Sequence, residues 1–352
     1  MSSAADGPIA HLGGRWAWDL QEVSHDPAVL DGTGTWAVAL PYAGAPVLLR
    51  FGNWSAEPPE HLACLQEATW QGPHITAWNS SMSRSDYCQA VEATRACIAA
   101  GTIYQANICR ILSAEMPPSG GAMAGLFGRL RVGNPAPYLG FVDAAEAGIR
   151  VATASPELFL QRDGSLLRTG PIKGTAPTVE GLLPKDWAEN VMIVDLMRND
   201  LGRVCQTGSV RVPTLTEVQA HPGLVHLVSR VEGILAPDAT WPMIIDATFP
   251  PGSVTGAPKS SALKVIESLE QAGRELYCGA IGWVDADRQL ASLAVAIRTF
   301  WLRDGLLRFG TGAGITWESH ADGEWLETQL KARHLVALSA GQEPANVAGF
   351  DA

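Results

Sequence analysis

Lysine is scarce in this 352-residue chain: five in all, none before position 173, against twenty arginines. Where charge alone is needed, arginine serves. The survivors, Lys173, Lys185, Lys259, Lys264 and Lys331, are therefore candidates for work a guanidinium cannot do, since an ammonium can lose its proton and act as a nucleophile. Basic runs are also missing, and the net charge of −11 argues against nucleic acid or an anionic membrane as a general partner. No uninterrupted apolar run reaches transmembrane length. Residues 1–10 lack the charged start and apolar stretch of a signal peptide, so a cytoplasmic location is expected. The six cysteines contain no Cys-x-x-Cys pair and read as reduced thiols rather than a disulfide framework or a zinc site.

With 47% hydrophobic residues the chain can bury a large core. Residues 1–82 hold six of the twelve tryptophans and short apolar runs such as Trp36–Leu40 and Val47–Phe51, punctuated by Gly and Pro, which predicts strands and turns. From Ser83 a helix is expected, capped by Ser85, striped by Tyr87, Val91 and Ile98, and ended by Gly101. A strand over Thr102–Leu112 would put Ile103, Gln105, Asn107 and Cys109 on one face. Further strands are expected at Pro137–Val142, Ile149–Thr153 and Leu158–Gln161, and helices at Lys185–Leu201, Lys259–Ala272 and Gly323–Leu338. Strand-rich segments interrupted by single helices predict an α+β fold with largely antiparallel sheets.

Two acid pairs stand three residues apart, Asp186 with Glu189 and Glu324 with Glu327, so each shares a helix face. Converging from two helices they would suit Mg²⁺; the same spacing near a helix start equally serves the dipole in solvent. Gly310–Gly314 follows an expected strand and could offer backbone N–H groups to an anion, or form a tight turn. Gly252 to Ser260 superficially resembles a nucleotide P-loop, but its glycine spacing is wrong and Pro258 precedes Lys259, which disfavours ATP or GTP. Arg298 closes an apolar strand, a placement better suited to a bound carboxylate than to solvent. Lys173 sits in Pro171-Ile172-Lys173-Gly174-Thr175, a setting that aims one side chain into a pocket.

Read together with Tyr104-Gln105-Ala106-Asn107, Ser155-Pro156-Glu157, Ala188-Glu189-Asn190, Ile193 to Asp200, Val225-His226-Leu227, Tyr277-Cys278-Gly279-Ala280 and Ile297-Arg298-Thr299, these segments resemble the chorismate-utilising enzyme family. The likeness runs in family order over residues 83 to 340. It implies one chorismate-binding domain across 1–352, with a shortened strand-rich region at 1–82 and a catalytic core at 83–340. It also implies a four-layer α/β/β/α sandwich of two orthogonally packed, mainly antiparallel sheets, and a Mg²⁺-dependent site.

The resemblance assigns Glu189 and Glu327 as principal Mg²⁺ ligands, assisted by Asp186 and Glu324. Arg298, Tyr277 and the amides of Gly312, Ala313 and Gly314 would hold carboxylates, with Lys331 beside them; Thr175 and Thr255 would line the ring. Lys173, Glu157 and His226 fall in catalytic places, Glu157 handling the proton on the C4 hydroxyl. Family members that add water carry a lysine base where this chain has Gln105, which disfavours hydrolytic branches. Lysine rather than alanine at position 173 resembles the aminodeoxychorismate-forming branch, in which the amine adds at C2 before ammonia displaces it from C4. The product, 4-amino-4-deoxychorismate, leads to 4-aminobenzoate and folate. The alternatives are an anthranilate synthase or aminodeoxyisochorismate-forming relative, and a non-catalytic chorismate-binding subunit. No cysteine sits in a Gly-x-Cys-x-Gly elbow, so ammonia is expected from a separate glutamine amidotransferase subunit. Departures from the family pattern include only fifteen residues between Lys173 and Glu189, Ala176 and Trp187 in place of arginines, and no Leu-Leu-Glu-Ser element, so no tryptophan inhibition is expected.

Overall fold

The computed structural model describes residues 7–58, 60, 70–176, 178–182, 184–221 and 224–341. Strands β1 (Ile9–Leu12), β2 (Arg15–Ser24), β3 (Thr35–Leu40), β4 (Val47–Ser55) and β5 (Asn79–Ser80) precede helix α1 (Arg84–Ala99). After β6 (Gln105–Glu115) and α2 (Met123–Gly133) come β7 (Tyr138–Ala144), β8 (Ile149–Ser155), β9 (Leu158–Asp163), β10 (Leu166–Gly170) and β11 (Ile172–Ala176). Then follow α3 (Pro184–Gly202), β12 (Arg211–His221), β13 (Leu224–Ile234), α4 (Trp241–Thr248), β14 (Gly256–Ala257) and α5 (Lys259–Leu269). The chain closes through β15 (Ala280–Asp285), β16 (Leu290–Val295), β17 (Thr299–Arg303), β18 (Leu306–Ile315) and α6 (Ala321–Ala340).

Every ladder among the described residues is antiparallel. One half of the sheet runs β12-β13-β10-β9-β16-β15-β3-β4, with β11 also on β13. The other half runs β1-β7-β8-β17-β18-β6, with β5 and β14 on β6. Strand β2 joins them, pairing with both β1 and β4. Its register shifts between Leu20 and Glu22, next to Asp19 at φ 66°, and such bulges bend a strand. The two sheets are thus continuous through β2, and strands from 1–82 pair with later ones as β1–β7 and β3–β15.

Apolar side chains of both halves interleave in one core: Val38, Leu49, Leu160 and Leu293 with Cys109, Ile111, Val142 and Val151, continuing under α3 and α4. A second cluster seats α2 and α6 on β7, β8 and β17 through Phe127, Leu130, Phe141, Phe300 and Leu335. A third seats α1 and α5 on β6 through Val91, Ala106, Ile108 and Ile266. Helices therefore cover the outside of both halves, giving the four layers.

Local chemistry explains the differences from the sequence reading. Ser83, not Ser85, caps α1: its hydroxyl accepts from the Asp86 N–H and Asp86 accepts from the Ser83 N–H, both at 3.2 Å. Strand β6 starts at Gln105 rather than Thr102. Helix α2, with Gly125 and Gly128 inside it, has weak intrinsic propensity and forms because Met123, Leu126, Phe127 and Leu130 are buried. On β6 both faces are covered, so Gln105, Asn107 and Cys109 point inward between the halves while Ala106 and Ile108 meet helices.

Candidate active site

The two halves meet chemically where β11 faces β6 and β18. Lys173, on β11, donates from Nζ to the carbonyl oxygen of Ser253 at 3.1 Å. A Cβ placed on Gly314 would lie 3.6 Å from Lys173 Nζ and 2.6 Å from Gln105 Nε2. Lysine from one half, and glutamine and glycine from the other, therefore line one small space. Gln105 is buried, and its Oε1 has no hydrogen-bond partner among the described residues, which leaves an acceptor for something polar brought into the site.

Glu157 lies between β8 and β9 and is 5% exposed. Burial pushes its carboxyl up to about 7, against the opposing pulls of the Ser253 hydroxyl, the Lys173 charge and the Ile172 N–H. Its backbone is fixed as well: its carbonyl accepts from the Val295 N–H, and Ser155 Oγ donates to the Val295 carbonyl at 2.6 Å. A carboxylic acid that keeps its proton near neutrality can serve as a general acid.

Lys173 is held forward by a register shift on β11 at Gly174, whose φ of 75° belongs to glycine's range. A Cβ there would also stand 2.8 Å from Asp186 Cβ. The same glycine therefore lets α3 bring its acids up to the lysine strand.

A second feature is an opened ladder. Strand β18 pairs with β6 as far as Ile315, but with β17 only from Leu306 to Phe309. Continuing that register puts Arg298 level with Thr311, where β17 has already turned away and Arg298 takes φ 51°. Among the described residues one edge of β18 is thus free of a strand from Gly310 to Gly314, and alternate N–H groups face the gap. Tyr277 packs its buried ring on Gly310, where a Cβ would fall 2.0 Å from the ring. The Arg298 guanidinium makes no hydrogen bond or ion pair among the described residues, and burial lowers its pKa. A partly buried arginine beside free amides has the chemistry to hold an anion.

Lys331, on α6, donates to the Gly312 carbonyl at 3.0 Å and pairs with Glu327 at 2.6 Å, which sets it beside the same strand. Glu324 is buried, Asp186 and Glu189 are partly buried, and Glu327 is exposed. Among the described residues, no group of three or more His, Cys, Asp or Glu side chains gathers to hold a metal alone. Four carboxylates in two pairs still have the donor chemistry of Mg²⁺, which commonly keeps waters and takes substrate oxygens as further ligands. Thr255 turns its hydroxyl back to the Pro251 carbonyl at 3.1 Å. Thr175 and His226 pair with each other across β11 and β13, and their side chains lie outside those described.

The sequence reading gave no role to two supporting residues, Ser253 and Arg274, and named Lys259 only among the candidate lysines. Ser253 lies in the glycine-rich loop and touches both Lys173 and Glu157. Arg274, fully buried, pairs with Glu270 at 2.6 Å and donates to the carbonyls of Val254 and Asn107, tying that loop to β6. Lys259 meets Asp200 at 2.6 Å and the Thr248 carbonyl at 3.2 Å, joining α5, α3 and α4. Its scarcity reflects a buried ion pair and not chemistry on a substrate.

The site thus gathers the Lys173 amine, a buried carboxyl raised to about 7 and an arginine beside an open strand edge, with acid pairs on the neighbouring helices α3 and α6. Residues 54–337 match the family of chorismate binding enzymes, and the chain belongs to it. Anthranilate synthase component 1 of Saccharolobus solfataricus is 36% identical over 273 residues, 74% of this chain and 63% of that protein. Aminodeoxychorismate synthase component 1 of Klebsiella aerogenes is likewise 36% identical over 273 residues, 74% of this chain and 59% of that protein. The chain thus spans about three-fifths of the length of these relatives. Among solved structures, anthranilate synthase component I of Streptococcus pneumoniae matches with TM-score 0.75 and 25% identity, covering 94% of this chain and 90% of that one. The menaquinone-specific isochorismate synthase of Escherichia coli shares the fold, with TM-score 0.78 at 19% identity over 96% and 90% of the two chains. No described helix is long and apolar enough to cross a membrane.

Proposed function

We propose that this chain aminates chorismate at C4, as an aminodeoxychorismate synthase component I, through a covalent intermediate on Lys173. The observation that carries the reading is the placement of Lys173 beside Glu157, whose carboxyl burial raises to about 7. Arg298, the free β18 edge and Lys331 hold the substrate's carboxylates. Glu189 and Glu327, with Asp186 and Glu324, would hold Mg²⁺, which when bound supplies positive charge to offset those carboxylates.

The neutral Lys173 amine bonds to C2, the ring double bond shifts, and the C4 hydroxyl leaves as water with the proton of Glu157. Ammonia then bonds to C4, the double bond returns, and the C2–nitrogen bond to Lys173 breaks. The proton shed by the lysine nitrogen after the first attack restores Glu157, and the proton shed by ammonia after the second passes to the departing Lys173 nitrogen. The net change is chorismate plus ammonia to 4-amino-4-deoxychorismate plus water. Gln105, a neutral amide, cannot deprotonate water, which favours ammonia as the nucleophile. We assign the ammonia to a glutamine amidotransferase partner, and the product to 4-aminobenzoate and folate synthesis.

The second reading, anthranilate formation, is favoured by relatives of that name being equally similar. Purified protein with chorismate, Mg²⁺ and ammonium separates the two, with products resolved by chromatography before and after aminodeoxychorismate lyase. Product that needs the lyase to become 4-aminobenzoate supports C4 amination. Anthranilate fluorescence without the lyase overturns it.

A further inference from the structure

A cleft of about 670 Å³ opens on the outer surface between β5, the start of α1 and α6, away from the site between the sheets. Trp78 and Trp325 form apolar walls, Ser80 and Gln329 add polar groups, and Arg84 and Leu326 stand at the rim. The indole N–H of Trp78, a residue 5% exposed, has no acceptor among the described residues. Beneath lies Arg110, 1% exposed, donating to Ser80 Oγ at 3.0 Å and Gln329 Oε1 at 3.1 Å, with its guanidinium 4.2 Å from the centre of the Trp325 ring. Burial lowers the Arg110 pKa to about 10, so its positive charge remains at neutral pH. Among the described residues Arg84 pairs with Asp322 alone, in an exposed pair at 2.9 Å, a partner that a ligand anion can replace at little cost.

We infer that this cleft binds a flat aromatic carboxylate, its ring between the tryptophans and its anion toward Arg84. The volume lies within the range of small-molecule sites, and the balance of aromatic walls with a few polar groups is theirs. Arg110 supplies positive potential from below.

The cleft also reaches the catalytic strand. Arg110 pairs with Thr311 in the ladder and donates to Thr328 Oγ1 at 3.0 Å, while Thr311 Oγ1 donates to the Thr328 carbonyl at 2.9 Å. At about 100° per residue, Trp325, Gln329 and Leu326 occupy the side of α6 roughly opposite Glu324, Glu327 and Lys331. Occupancy on one side of the helix therefore bears on the residues of the other.

Calorimetric titration of the whole chain with 2-naphthoate, and with the neutral 2-naphthamide, tests the site. Binding of the acid is expected to persist in saturating chorismate and in Arg298→Ala. It is expected to weaken about tenfold in Arg84→Ala, the loss of one charge-assisted contact, and to disappear in Leu326→Glu, an exposed position that spares the fold. The amide should bind more weakly than the acid. No heat with wild type, or binding that vanishes with chorismate or Arg298→Ala and ignores Arg84→Ala, overturns the proposal. The readout is binding, so it stands whichever amination the enzyme performs.

Discussion

Lys173 and Glu157 share one neighbour: the Ser253 carbonyl accepts from Lys173 Nζ at 3.1 Å, and the Ser253 hydroxyl bonds to the Glu157 carboxyl. One residue of a glycine-rich loop thus bridges the Lys173 amine on β11 and the Glu157 carboxyl between β8 and β9. Replacing Ser253 by Ala keeps the backbone acceptor and removes the hydroxyl that favours the charged form of Glu157. Its alkaline limb in kcat/KM should move to higher pH with Lys173 still in place, and a pH–rate profile shows it.

Glu157 predicts a pH dependence of stability as well as rate. Its folded pKa of about 7 lies above the unfolded 4.5, so the fold disfavours its charge. Below 4.5 both states are protonated and nothing is lost; as pH rises through 7 the folded state loses the stabilisation the neutral acid enjoyed. Glu157→Gln, neutral at every pH, should therefore melt above wild type at pH 8 and converge with it near pH 4, while amination collapses. Melting curves across that range check the sign.

Arg298 should act on binding more than on turnover. Removing its charge-assisted bonds with Arg298→Ala is expected to raise KM for chorismate by roughly 10- to 100-fold, the loss of about 1.5–3 kcal/mol. The guanidinium itself has no partner among the described residues to strand, so the melting temperature should fall little. Steady-state kinetics and a thermal scan on one preparation separate the effects.

Lys259 is the opposite case. Lys259→Ala leaves the Asp200 carboxylate, 5% exposed, without its partner. Breaking such a buried pair costs about 3–5 kcal/mol. The variant should unfold at much lower denaturant, yet its remaining folded fraction should aminate chorismate at a near-normal specific rate. Urea unfolding with activity per folded molecule makes the comparison.

Much of this site was legible because its chemistry lies in short runs: Lys173 in its Pro-Ile-Lys-Gly-Thr setting, the acid pairs on single helix faces, Arg298 closing an apolar strand. Long helices and core strands were legible for the same reason, their periodicity being local. Ser253 was not, because its importance comes from two strands meeting a loop 80 residues from Lys173 and 96 from Glu157. Arg110, a charge inside the apolar run of β6, went unread because its partners Ser80, Thr328 and Gln329 sit on β5 and α6. Lysine scarcity could not distinguish Lys173 from Lys259; only the neighbours could. The continuity of the two sheets through β2 was equally hidden, since a bulge between Leu20 and Glu22 leaves little mark on residue pattern.

The covalent role of Lys173 is tested most directly by intact-mass and peptide-mass analysis after the enzyme meets chorismate and Mg²⁺ without any ammonia source, followed by rapid acid quench. The account predicts an added mass of chorismate less one water on the peptide holding Lys173, cleared when ammonium is supplied first and absent in Lys173→Ala. C4 amination proceeding at the wild-type rate in Lys173→Ala, with no adduct on the native protein, would contradict it.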